Sequence, residues 1–273
     1  MNKQKINLWD IAVHAKNNFS DHHTLLKSLL LKKEISLDLD EEKLFKNFVN
    51  FIKIGEKNIK SQLYQDVFSA FVVGNGLDKT FLEFGATDGF KLSNTYMLEN
   101  SLGWTGALCE PSPQWHIELK KNRPNSKILT KCIWNASNQK LDFFVSEIGE
   151  LSTLDDFKLN EIDSMPGNTE VRIKKGEIVE VETISLNDVI EENFKGKSPS
   201  YISIDTEGSE YEILNAFNLK KYRPVVFTIE HNYTKDESEI DKIMKINDYG
   251  RVFRKLTAFD AWYVRNDILS GLI

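Results

Sequence analysis

The chain has 273 residues, 41% of them hydrophobic and 28% charged, with a formal net charge of −6. That length suits one sizeable α/β domain with an appendage, and the balance is that of an ordinary globular protein. The acidity argues against nucleic acid as the main ligand, which needs a basic face, and no apolar run reaches the roughly 18 residues that span a bilayer.

Residues 1–60 read as an N-terminal helical extension. Leu44, Phe45, Phe48, Val49 and Ile52 recur at helical spacing within residues 41–59, a face to pack on the main domain. The N-terminus lacks the apolar core of a secretory signal, so a cytoplasmic protein is expected. A second helix covers "SQLYQDVFSAFVV" (61–73), closed by Gly74 and Gly76.

The period then changes. "KTFLEFG" (79–85) reads as a buried strand, "SNTYMLENS" (93–101) as a helix and "WTGALCEP" (104–111) as a strand. "PQWHIELKKNR" (113–123) reads as a helix and "SKILTKCIW" (126–134) as one strand. This alternation predicts a mostly parallel sheet with right-handed crossovers and helices on both faces, a Rossmann-like fold. Two strands, 140–147 and 177–186, flank a polar stretch at about 150–176 that reads as an insert or lid, with Pro166 and Gly167 inside it. "SYISIDTEGSEYEILNAF" (200–217) is strand, turn and helix, and "RPVVFTIEHN" (223–232) a strand. Residues 251–266 close the domain as an antiparallel hairpin, giving a catalytic unit at 61–273. Cys109 and Cys132 are too far apart for a metal motif and read as buried strand residues.

The strand ends carry the chemistry. In an open parallel sheet, ligands bind outside the carboxyl ends of the strands. The first strand ends in Glu83 and turns at "GATDG", Gly85 to Gly89. Gly85 permits a tight turn and a close ligand approach. Glu110 ends the next strand about 20 residues on, the spacing of an acid that binds ribose hydroxyls. Glu83 and Asp88 would repel a pyrophosphate but suit a ligand bearing an ammonium and a sulfonium, so S-adenosylmethionine fits better than a nicotinamide dinucleotide.

The set "FLEFGATDGFKLSNTYMLENSLGWTGALCEPSP" and "YISIDTEGSEYEIL", with "SQLYQD" before it, resembles the FkbM-type methyltransferases. These are class I, S-adenosylmethionine-dependent enzymes, many acting on oxygens of sugars or other natural products, and the resemblance runs over about 61–265. It implies that Glu83, Gly85, Ala86, Thr87, Asp88 and Gly89 cradle the methionine part of the cofactor, completed by Ser93 and Asn94. It further implies that Glu110 holds the ribose and that adenine lies near Pro111 and Ile133-Trp134.

Asp205 and Glu207 follow one apolar strand, and Glu230, His231 and Asn232 end another expected beside it. They form a constellation for methyl transfer to a hydroxyl, with His231 the natural base because its charge changes near neutrality. Asp205, beside the cofactor, and Glu230 offer instead a site for Mg²⁺ or Mn²⁺, assisted by Asn232. His14, His22, His23 and His116 read as surface or packing residues. The expected partner is a small-molecule or glycan acceptor, and a homo-oligomer stays open. The competing reading is a binding or trafficking module that keeps this fold without the chemistry.

Overall fold

A computed structural model describes residues 37–52, 58–160 and 167–273. The expectations for residues 1–36, including His14, His22 and His23, and for Pro166 lie outside the described residues. Among the described residues, no helix is long and apolar enough to cross a membrane.

The large sheet has seven strands: β1 (Thr80–Phe84), β2 (Thr105–Cys109), β3 (Lys127–Leu129), β8 (Tyr201–Ile204), β9 (Val226–Glu230), β10 (Tyr249–Val252) and β11 (Asp260–Arg265). Their order is β10-β11-β9-β8-β1-β2-β3. The chain runs outward from β1 to β3, then returns on the other side of β1 as β8. A crevice opens where those directions part, outside the carboxyl ends of β1 and β8. β1, β2, β3, β8 and β9 are parallel, while β11 runs antiparallel between β9 and β10. This is the expected α/β architecture, a mostly parallel sheet with a closing antiparallel hairpin. β8 and β9 are buried throughout, which is why they read as continuous apolar runs. Their register sets Ile204 opposite Ile229, so Asp205 and Glu230 leave the sheet side by side.

The run 126–134 is not one strand. β3 pairs with β2, but after Thr130-Lys131 the chain leaves the large sheet, and β4 (Cys132–Trp134) pairs with β7 (Gly176–Ser185). β7 also pairs with β5 (Lys140–Ser146), and β5 with β6 (Thr153–Leu154), making a second sheet in the order β4-β7-β5-β6. The polar 150–176 stretch therefore carries regular structure: β6 and a helix, α5, over Asn168–Lys174.

Helix α1 (Leu39–Phe51) starts at Asp38, whose side chain accepts the Glu41 amide at 2.9 Å. Its apolar stripe is buried as expected. Phe48 meets Phe68 of helix α2 (Gln65–Val73) edge-on at 5.6 Å, and Phe45 meets Phe253 at 5.4 Å. Three more helices matter for the site: α3 (Tyr96–Leu102), α4 (His116–Asn122) and α6 (Glu237–Ile246).

Candidate active site

Glu83 points from the end of β1 into a buried network. Its carboxylate accepts from the Ser93 hydroxyl at 3.0 Å, the Asn94 amide at 2.6 Å and the Thr95 hydroxyl. Arg123, fully buried after α4, lies 3.7 Å from it and also donates to Glu99 at 2.6 Å, Ser93 at 3.2 Å and Thr95 at 2.9 Å. Glu83 is thus partnered by the protein itself. Burial raises its pKa, against the lowering pull of Arg123.

Gly85 has φ +71°, and a Cβ there would sit 1.9 Å from the backbone oxygen of Asp205. The glycine is needed because β8 closes against the turn, an approach of chain to chain. Gly89, at φ +71°, is crowded in the same way by Leu119 and Arg123, 2.5 and 2.7 Å from such a Cβ.

Glu110, at the end of β2, is 4% exposed. One oxygen accepts the Thr87 amide and the other the Ser112 amide, both at 2.8 Å. Burial nevertheless pushes its carboxyl up to about 7. Asp88 does something different from expectation. Its side chain accepts the Phe90 and Lys91 amides at 2.9 and 2.8 Å, a turn cap, and it lies outside the wall of the cavity.

That cavity, of about 210 Å³, opens at the crevice between β1 and β8. Gly85, Ala86, Thr87, Ser93, Asn94, Glu110, Pro111 and Ile133 line it, as do Asp205, Glu207 and Glu230. Asp88, Gly89 and His231 do not. Trp134 packs on Phe157, ring centroids 6.0 Å apart, and also stays outside the wall. Two cavity-lining oxygens are buried without a hydrogen-bond partner, Asn94 Oδ1 and Glu230 Oε2. A donor-bearing cationic ligand would satisfy both.

Asp205, Glu207 and Glu230 each place a carboxylate oxygen within 4.8 Å of the others. Burial, then the Glu207, Asp260 and Glu210 charges, push Asp205 well above the usual carboxylate range, while a hydrogen bond with Glu230 opposes the rise. Glu230 is raised by burial and by Asp205. Carboxyls so placed share a proton, since two like charges this close do not both ionise. Glu207 stands apart. It sits at φ +63° and receives Arg172 of α5 at 2.5 Å, and Thr153 donates to its carbonyl at 3.0 Å. Arg172 also donates to the Leu151 carbonyl at 2.9 Å. The described part of the insert is therefore pinned to the strand-end turn. Glu210 accepts the Thr206 and Gly208 amides and so holds that turn from within.

A family model described as the methyltransferase FkbM domain matches residues 83–257. The chain belongs to the FkbM methyltransferase family. No curated protein matches its sequence significantly. Among solved structures, a precorrin-6y C5,15-methyltransferase from Geobacter metallireducens shares 11% identity over 77% of this chain and 89% of its own, at TM-score 0.38. An O-methyltransferase from Bacillus cereus in complex with SAH shares 14% over 84% and 90%, at TM-score 0.40. An O-methyltransferase candidate from Klebsiella pneumoniae shares 12% over 88% and 95%, at TM-score 0.41.

In this FkbM methyltransferase His231 is displaced from the expected role. Its Nδ1 accepts the Tyr233 amide at 3.0 Å, and its Nε2 lies 3.3 Å from an Arg251 nitrogen. A neutral imidazole has one lone pair, and both nitrogens here face N–H donors, so none is directed at an acceptor hydroxyl. Burial lowers its pKa to about 4. The ring lines a second cavity of about 640 Å³ that shares Glu207 and Asn232 with the first.

Burial pushes Asp66 up to about 6, and Glu110 and Asp260 up to about 7. An acid with a raised folded-state pKa stabilises most fully below its unfolded value, near 4, and loses that contribution as pH climbs through 6 to 7. The free protein should therefore melt several degrees higher at pH 5 than at pH 8. Thermal unfolding at the two values checks this, and a higher melting temperature at pH 8 contradicts it.

Proposed function

We propose that the chain transfers the methyl group of S-adenosylmethionine to a hydroxyl oxygen of a sugar, glycan precursor or related natural product, in the cytoplasm. The observation that carries this is the Asp205–Glu230 pair, half-buried and buried respectively, level at the ends of β8 and β9 and lining the crevice cavity. A hydroxyl keeps its proton too tightly to attack unaided, and an adjacent carboxylate pair can accept it.

The cavity suits the cofactor. Glu110 would hold the ribose hydroxyls with the lone pairs its two amide bonds leave free. Asn94 Oδ1 would take the ammonium, with Glu83 orienting the Ser93-Asn94 backbone. Ala86 and Thr87 would cover the methionine part, and Pro111 and Ile133 would flank adenine. Bound S-adenosylmethionine supplies an electrophilic methyl carbon. In this reading His231 positions the outer cavity, and Asp205 or Glu230 takes the proton.

A divalent ion held by Asp205 and Glu230 is the second reading, favoured by the trio's mutual distances. Against it stands Arg172, a fixed positive charge on the third carboxylate. An assay of methyl transfer to a panel of sugars, with and without chelator, tests both. Transfer that survives chelation supports the carboxylate pair, and loss restored by Mg²⁺ or Mn²⁺ supports the metal.

Glu110→Ala should weaken S-adenosylmethionine binding ten- to hundredfold, the loss of about 1.5–3 kcal/mol in charge-assisted bonds. Calorimetry measures it. Unchanged affinity in a folded variant would remove Glu110 from the cofactor site.

A further inference from the structure

Six acids line the crevice cavity: Glu83, Glu110, Glu150, Asp205, Glu207 and Glu230. Four have fixed partners. Arg123 lies 3.7 Å from Glu83, Lys91 donates to Glu150 at 2.8 Å, and Arg172 donates to Glu207 at 2.5 Å. Glu110 takes one backbone amide on each oxygen.

Asp205 and Glu230 are left. Among the described residues no lysine or arginine pairs with either. Glu230 is 9% exposed, and its Oε2 is buried with no hydrogen-bond partner. A shared proton neutralises one of the two charges and leaves the other. Buried charge without a counter-ion is costly, and a cation arriving in the same cavity relieves that cost.

S-adenosylmethionine carries a positive sulfonium. Its product, S-adenosylhomocysteine, carries a neutral thioether at the same place. The two otherwise present the same groups to the protein.

Resting on the cofactor reading above, we propose that Asp205 and Glu230 are the residues that distinguish the sulfonium cofactor from its thioether product. The first-strand acids Glu83 and Asp88, to which sequence reasoning gave that task, are occupied elsewhere. Once the methyl group has left, the sulfur loses its charge and the pair loses its counter-ion. The product then draws nothing from the pair and binds less tightly than the cofactor.

The test is calorimetric titration of the full-length protein with S-adenosylmethionine and with S-adenosylhomocysteine, for wild type, Glu230→Gln and Asp205→Asn. Product affinity reports whether the site is intact. The expected result is that each variant holds the product within about threefold of wild type. Its affinity ratio of cofactor to product should fall about ten- to hundredfold, the range of one charge-assisted contact. An unchanged ratio in the variants overturns the proposal, as does an equal loss of both ligands in both variants. Wild type that binds neither ligand would instead overturn the cofactor reading itself.

Discussion

Glu230→Gln and Asp205→Asn should each cut methyl transfer about 10²–10⁴-fold, the span of general base catalysis, while His231→Ala costs far less. The two carboxyls leave adjacent parallel strands in register, line the crevice cavity and hydrogen-bond each other. An amide at either position keeps the shape but cannot accept the proton. His231 faces the Tyr233 amide and Arg251 and lines the outer cavity, so its loss should appear mainly in acceptor KM. Steady-state kinetics with a sugar acceptor from the panel measures all three. Full turnover in both carboxylate variants, or a collapse confined to His231→Ala, would move the active site away from the Asp205–Glu230 pair.

The sequence shows the large sheet because its strands are short apolar runs ending in acids or glycines. β1, β2, β8 and β9 all fall inside the runs read from it. The neighbouring ends of β8 and β9 are legible for the same reason. What pairs with each acid is not. Glu83 and Asp88 look alike as carboxylates around a glycine turn, yet one is buried among hydroxyls and the other caps an exposed turn. That difference is set by Arg123, some 40 residues on in the chain. Nothing in "KKNRPN" separates this arginine from the lysines beside it. Arg172 is hidden likewise, lying in a polar stretch that reads as a lid until its guanidinium is found under Leu151 and against Glu207. His231 misleads in the opposite direction. Its residue type suits a base, but the amide two residues on takes its lone pair. The second sheet escapes notice because no glycine or proline marks the break at Thr130-Lys131 within 126–134, and only pairing partners show that the run serves two sheets.

Arg123→Met should destabilise the fold by about 3–5 kcal/mol, the cost of removing one partner from a buried ion pair. The guanidinium is fully buried, and its two carboxylate partners, Glu83 and Glu99, have side chains only 3% and 6% exposed. Methionine fills much of the same volume, so the loss is chiefly electrostatic, two buried acids left with hydroxyls and the Asn94 amide as their only partners. For a chain of this size, that corresponds to a melting temperature lower by on the order of ten degrees. The pH dependence separates this cause from a packing defect. Without Arg123 the Glu83 pKa, already raised by burial, should rise further. Protonation then relieves the variant at low pH, so its deficit against wild type should be smaller at pH 5 than at pH 8. Lys121→Ala is the comparison. Lys121 pairs with Glu118 at 3.1 Å on an exposed helix face, where such pairs contribute at most about 1 kcal/mol. Thermal unfolding of both variants at the two pH values gives the answer. An Arg123→Met deficit no larger than that of Lys121→Ala, or one that does not change with pH, would mean that Glu83 does not depend on Arg123 for its charge.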